Sequence, residues 1–180
     1  MIRLFIALPL PEEVEQYLLT IAKKLPEDGF AKVNGIHLTI NFLGWVNEKS
    51  VPEIIKRLDT ITFSAFTLQL HNIGFFPDDK QPRVVWVGVM PHEQILSLKD
   101  RIEEALHGLF PKDDRFHPHL TLARIKFLKE KKTIEDMKKM VVEHKEFSID
   151  RLILYKSTLT RAGPEYEKLL VKKAEAESSM

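Results

Sequence analysis

The sequence predicts an α+β fold of two similar lobes, with two antiparallel sheets facing each other across a central cleft and helices on the outside. Three observations carry this expectation. Segments with strand-type alternation and segments with helical spacing are interleaved but not strictly alternating, which favours α+β over a doubly wound sheet. The chain partly repeats itself. Arg3-Leu4-Phe5-Ile6-Ala7-Leu8 returns 80 residues later as Arg83-Val84-Val85-Trp86-Val87-Gly88, and Pro11-Glu12-Glu13 returns as Pro91-His92-Glu93. Finally, His37-Leu38-Thr39-Ile40 returns 82 residues on as His119-Leu120-Thr121-Leu122, at the equivalent place in each half. A pseudo-twofold arrangement of the halves brings these two strands face to face. The expected organisation is one two-lobed domain over residues 1–180, with halves of about 1–80 and 81–173 and a frayed tail at 174–180.

Taken in order, Arg3–Leu8 reads as a buried strand. A helix follows from Pro11, a favoured first-turn residue, with Glu12 and Glu13 suited to the positive helix end. Val14, Tyr17, Leu18, Ile21 and Leu25 form its apolar stripe. Gly29 and Gly35 bracket a turn before a strand over about Ile36–Leu43. In that strand His37, Thr39 and Asn41 are expected on one face, and Ile36, Leu38, Ile40 and Phe42 on the other. Ser50 and Glu53 read as a capping box opening a helix with Val51, Ile54, Ile55 and Leu58 inward. Phe66–Phe75 reads as a strand and Pro77-Asp78-Asp79 as a turn. The second half opens with a strand over Arg83–Val89. Its helix carries Ile95, Leu98, Ile102, Ala105 and Leu109 on one stripe, and the loop Pro111–Arg115 leads into the second motif strand. A short helix near Thr133–Val142 and two long strands, about Phe147–Thr158 and Tyr166–Lys173, complete the chain.

Composition narrows the chemistry. With no cysteine, thiolate catalysis, disulfides and cysteine-based zinc sites are excluded. No run of about 18 apolar residues is present, so no membrane span is expected. The N-terminus is too short in its apolar stretch for a signal peptide, and the expected place of action is the cytoplasm. A formal charge of +1 says little by itself, so any nucleic-acid affinity must come from a local patch. Nothing in the sequence bears firmly on oligomeric state, and a monomer is the working expectation.

The two tetrapeptides suggest the chemistry. On a strand, residues i and i+2 share a face, so each copy aims an imidazole and a hydroxyl at the same space. Two imidazoles supply one acid and one base near neutral pH, and two hydroxyls hold an anion between them. That set suffices to cleave a phosphodiester without a metal or other cofactor. After the second motif the apolar face switches from Pro118, Leu120 and Leu122 to Ala123, Ile125 and Phe127. Period-2 alternation cannot change phase without an inserted residue, so a β-bulge is expected near Ala123–Arg124. It would turn Arg124 to the side of His119 and Thr121, where a guanidinium suits a phosphate. A basic run follows in Lys126, Lys129, Lys131 and Lys132, and Phe42, Phe116, His117 and Lys126 are candidate contacts for RNA. Two alternatives stay open on residues alone. His37, His117 and His119 could form a three-histidine zinc site, or the chain could bind RNA without catalysis.

The paired His-x-Thr tetrapeptides resemble the signatures of the two-histidine phosphoesterase superfamily. Arg3-Leu4-Phe5-Ile6-Ala7, Pro82-Arg83-Val84-Val85-Trp86 and Phe116-His117-Pro118-His119-Leu120-Thr121-Leu122-Ala123-Arg124 are similar to its RNA 2′,3′-cyclic phosphodiesterase branch, also called the 2′-5′ RNA ligase branch. The resemblance implies a bilobal α+β fold. It implies hydrolysis of an RNA 2′,3′-cyclic phosphate end, such as that of a tRNA fragment, leaving the phosphate on the 2′ oxygen, with 2′-5′ ligation as the reverse reaction in some members. It makes His37 the proton donor, His119 the proton acceptor, and Thr39 and Thr121 holders of the phosphate oxygens. It implies no metal. The same chemistry on a small cyclic nucleotide or a cyclic phosphate of ADP-ribose is the alternative within this reading.

Overall fold

The computed structural model describes residues 1–161 and 163–176. The element order is β1 (Ile2–Pro9), α1 (Glu12–Lys23), β2 (Phe30–Lys32), β3 (His37–Val46), α2 (Val51–Asp59), β4 (Phe66–Phe76), β5 (Val84–Met90), α3 (Glu93–Ala105), β6 (His119–Ile125), α4 (Lys132–Lys138), β7 (Glu146–Ile149), β8 (Arg151–Thr160) and β9 (Gly163–Lys173). It is an α+β fold of antiparallel strands, as the interleaved periodicities predict. The strands run in the order β7-β4-β5-β6-β3-β1-β8-β9, with β2 paired to β6. The two expected sheets are therefore four-stranded halves that touch at their inner strands. The only residue pair joining β3 to β6 among the described residues is Leu38 with Leu120.

The lobes in space are not the halves in sequence. β4 comes from the first half but pairs with β5, and β8 comes from the second half but pairs with β1. The helices cross over too: α1 packs against β6 and α3 against β3. The crossing is made at Asp150. The sequence predicts one strand through Phe147–Thr158, but the chain breaks there into β7, which pairs with β4, and β8, which pairs with β1. The buried apolar positions shift there from Phe147 and Ile149 to Leu152 and Leu154, a change of phase that marks an interruption but does not reveal a change of partner.

Leu4, Ile6, Leu8, Leu38, Leu68, Leu70, Val85, Val87, Leu120 and Leu154 are fully buried and line the inside of the curled sheet under the helices. Each such side chain contributes roughly 1.5–3 kcal/mol of burial. Of the expected stripe, α1 buries Val14, Leu18 and Ile21, with Ala22 beside them; Tyr17 is half-buried and Leu25 is buried just beyond the helix end. Pro11 stands just outside it as the cap residue.

Three local expectations are corrected. Ser50 does not cap α2: its backbone is already helical and its side chain makes no cap bond. Asn47 instead accepts the Lys49 N–H at 3.0 Å and opens a single 3-10 turn that feeds the helix. Between Gly29 and Gly35 the chain forms β2, whose pairing with β6 needs Gly29. Its φ is +81°, and a Cβ there would lie 2.3 Å from the Phe127 carbonyl oxygen. Ala174 and Glu175, placed in a frayed tail by sequence, are tied down: their N–H groups donate to the carbonyls of Asp150 (2.7 Å) and Phe63 (2.8 Å). Residues 177–180 of that tail lie outside the described residues. No helix among the described residues is long and apolar enough to cross a membrane.

Candidate active site

β3 and β6 are the two central strands, and they deliver the two motifs. Leu38 and Leu120 are fully buried, so the flanking residues must face the other way. His37, Thr39, His119 and Thr121 accordingly line one cleft of about 700 Å³.

Both strands bulge just after the threonine. Along β1 the partners of β3 pass from Thr39 to Asn41, leaving Ile40 unpaired, and along β5 the partners of β6 pass from Thr121 to Ala123, leaving Leu122 unpaired. An inserted residue reverses the sidedness of the residues after it. On β6 this is the bulge expected from the phase switch, and it puts Arg124 into the cleft. On β3 the same device overturns an expectation. Alternation predicts Asn41 beside Thr39 and Phe42 in the core. Instead Asn41 is buried, while Phe42 is 66% exposed and lines the cleft. Each histidine is thus followed five positions on by a second cleft residue, an aromatic in one lobe and a cation in the other.

The two imidazoles have different surroundings. His37 is packed among Phe5 (ring centroids 5.1 Å apart, stacked), Tyr166 (5.4 Å, edge-on) and Tyr155 (6.0 Å, stacked). Neither of its nitrogens has a protein hydrogen-bond partner among the described residues. Burial among these rings pushes its pKa down to about 4. His119 meets Phe76 edge-on at 4.8 Å, and its Nδ1 lies 2.7 Å from the His117 carbonyl oxygen. A carbonyl only accepts, so Nδ1 carries the proton and Nε2 is the free basic nitrogen. Burial lowers this histidine below its ordinary value; the bond to the His117 carbonyl works in the opposite direction. Neither threonine hydroxyl has a protein partner among the described residues, which leaves both free for a ligand.

The cleft is one-signed. Arg3, Lys32, Arg124 and Arg161 line it and, among the described residues, no carboxylate does, although the whole chain carries only +1. Of these cations only Arg124 stands out in sequence. Arg3 shares strand parity with Phe5, which is a readable signal. Lys32, Ser157, Arg161 and Tyr166 come from β2 and from the β8–β9 hairpin, whose places across the fold no local pattern reveals.

Three of the candidate RNA contacts do not line the cleft. Phe116 packs against the core with the Lys99 ammonium 5.5 Å from its ring. His117 turns its ring onto Trp86 (5.1 Å) and toward His92 (5.9 Å). Lys126 follows the end of β6 and lines a separate shallow groove with Lys80 and Arg83. In the basic run beyond it, Lys129 is paired with Asp28. The three-histidine zinc alternative loses its geometry with His117: among the described residues no three histidine or carboxylate side chains converge as a metal would require.

Two facing His-x-Thr strands, each bulged after the threonine, joined at one residue pair above a cationic cleft, define a two-histidine phosphoesterase fold. The 2′-5′ RNA ligase superfamily model matches residues 10–161. The RNA 2′,3′-cyclic phosphodiesterase of Methanocaldococcus jannaschii is 35% identical over 170 residues, covering 92% of this chain and 96% of the relative. That of Thermotoga maritima is 34% identical over 176 residues, covering 93% and 92%. The crystal structure of TT0787 of Thermus thermophilus superposes with a TM-score of 0.83 at 29% identity, covering 98% of this chain and all of that one. The chain belongs to the 2′-5′ RNA ligase superfamily and, within it, to the RNA 2′,3′-cyclic phosphodiesterase family.

Proposed function

We propose that this protein opens RNA 2′,3′-cyclic phosphate ends by hydrolysis, with His119 as general base and His37 as general acid, and leaves the phosphate on the 2′ oxygen. The observation that carries the reading is that both imidazoles and both threonine hydroxyls of the motifs line one cleft together with Arg124. The relatives' name supports the substrate, and Escherichia coli LigT, 26% identical to this chain, has been crystallised with 3′-AMP and with phosphate. A tRNA fragment as the RNA, action in the cytoplasm as a monomer, and 2′-5′ ligation as the reverse reaction go with this reading.

The steps are set by the surroundings of each group. His119 is neutral near pH 7, and its Nε2 accepts a proton from the water that attacks phosphorus. His37 must enter the step protonated. The aromatic-lined position by itself disfavours charge, but the phosphate anion between the histidines favours it, and the faces of Phe5 and Tyr155 add cation–π attraction. Binding of the anion therefore loads the acid. His37 then donates its proton to the 3′ oxygen as the ring opens. Thr39, Thr121 and Arg124 donate to the non-bridging oxygens as charge builds on them. Phe42, exposed beside them, offers its face to the terminal base. No step calls for a metal.

The test is incubation with an oligonucleotide ending in a 2′,3′-cyclic phosphate, with a strong chelator present, followed by phosphorus NMR. The expected product is a 2′-phosphomonoester formed at an undiminished rate. A 3′-phosphate product, or activity that dies with the chelator and returns with zinc, would overturn the scheme.

A further inference from the structure

The cleft carries more positive charge than one cyclic phosphodiester requires. That group bears a single negative charge, and Arg124 stands with the two threonines to meet it. Arg3 and Arg161 are left over, in the opposite lobe. Outside the cleft, Arg57 donates to Glu53 and to the His107 carbonyl, Arg101 to the Thr62 carbonyl and Arg151 to Asp150, while the guanidiniums of Arg83 and Arg115 have no protein partner among the described residues. The cleft arginines differ from these two in facing one cavity together. The guanidiniums of Arg3, Arg124 and Arg161 have no protein partner among the described residues. A cleft lined by charges of one sign focuses their field and concentrates anions in it.

The surplus is organised by the sheet. Arg3 of β1 is in register with Ser157 of β8, and Ser157 is in register with Tyr166 of β9. Directly paired residues share a face, and neighbouring strands lie about 4.8 Å apart. A guanidinium, a hydroxyl and a phenol therefore stand in one row across three strands, all lining the cleft. Ser157 is only 9% exposed, and among the described residues its hydroxyl has no protein partner. The Tyr166 hydroxyl feels the positive charge of both Arg124 and Arg3, while its ring stands edge-on to His37. Arg161 lines the same cleft from just past the end of β8, on the hairpin side of this row.

We propose that Arg3, Ser157 and Tyr166, with Arg161, form a second anion subsite that takes the phosphate on the 5′ side of the terminal nucleoside, so that the enzyme recognises the last phosphodiester of an RNA chain as well as its cyclic end. The assignment rests on the proposed cleft function, which supplies the first phosphate.

Calorimetric binding of the ring-opened products tests it separately from turnover. The probes are a nucleoside 2′-phosphate with a free 5′-hydroxyl, the same compound with a 5′-phosphate, and a dinucleotide bearing the 2′-phosphate at its end. The wild type should bind the dinucleotide about tenfold or more tightly than the 5′-hydroxyl compound, the scale of a charge-assisted hydrogen bond. Arg3→Gln, Ser157→Ala and Tyr166→Phe should each shrink that ratio, Arg3→Gln the most, and the ratio should fall with added salt. A free 5′-phosphate binding tightly while the dinucleotide does not would show a terminal-phosphate site and overturn the RNA-chain assignment. Equal affinity for all three probes in the wild type, or ratios that the substitutions leave unchanged, would overturn the subsite itself. Binding that keeps the expected order without any hydrolysis of the cyclic compounds would uphold the subsite and sink the hydrolase reading.

Discussion

β3 and β6 bring the same pair of side chains to the cleft, yet they prepare them differently. His119 is held through Nδ1 by the carbonyl of its own strand's approach, which fixes its tautomer before any ligand arrives. His37 has rings around it and no hydrogen-bond partner among the described residues. The bulge after each threonine then adds Arg124 on one side and Phe42 on the other. Two similar motifs thus sit in two differently built halves of one cleft. In the proposed mechanism His119 is the base, with a cation beside it, and His37 is the acid, which gains its proton when the anion comes.

Substitution of the histidines tests this division most severely. His37→Ala and His119→Ala should each lower kcat/KM for a cyclic phosphate by roughly 10²–10⁴-fold. Because the two act in one step, the double variant should lose little more than either single one. Steady-state kinetics would check this; additive losses would mean that the histidines work independently.

Acid unfolding sharpens the contrast between the two positions. The folded value of His37 lies below its ordinary one, so as pH falls the unfolded chain takes up that proton first. The neutral imidazole's contribution is whole above about pH 6.5 and is lost on the way down to about 4, on the order of 3 kcal/mol in total. His37→Gln should remove that share of the acid sensitivity. Urea midpoints at pH 7 and pH 4.5 read it, and an unchanged difference between them would show that burial does not control this group.

The residues five positions after each histidine should separate by type. Loss of a charge-assisted bond in Arg124→Gln should cost about 1.5–3 kcal/mol of transition-state stabilisation, seen mainly in kcat. Phe42→Leu should be milder, near the lower end of the roughly 1–3 kcal/mol of a base stack, and seen mainly in KM. If both variants changed kcat and KM alike, the asymmetry between the two half-sites would disappear.

Much of this was legible in the sequence. The motif pair, the β1–α1 unit and its copy, and the bulge before Arg124 all follow from local periodicity, because Ala123, Ile125 and Phe127 visibly change phase. The bulge in β3 was hidden. After it a polar Asn41 turns inward and an aromatic Phe42 turns outward, so the sequence still reads as unbroken alternation. Asn41, whose Oδ1 is buried without a partner among the described residues, lies beside Glu103. Burial works to raise the Glu103 carboxyl, but the Asp113 N–H and the Lys99 ammonium, with a smaller part from Asn41, hold it below the ordinary carboxylate range. That partnership spans two distant segments. The exchange of strands between lobes at Asp150 was also hidden, since alternation specifies a strand's faces but not its neighbours. Ser157, Arg161 and Tyr166 reach the cleft only through that exchange.

The central claim is that His37 serves the leaving oxygen and His119 the attacking water. Replacing the bridging 3′ oxygen of the cyclic phosphate by sulfur makes a leaving group that departs without a proton. Rates of His37→Ala and His119→Ala on the oxygen and sulfur substrates measure the claim directly. Sulfur should restore His37→Ala toward the wild-type rate and leave His119→Ala impaired; restoration of His119→Ala instead, or equal behaviour of the two variants, would contradict the assignment.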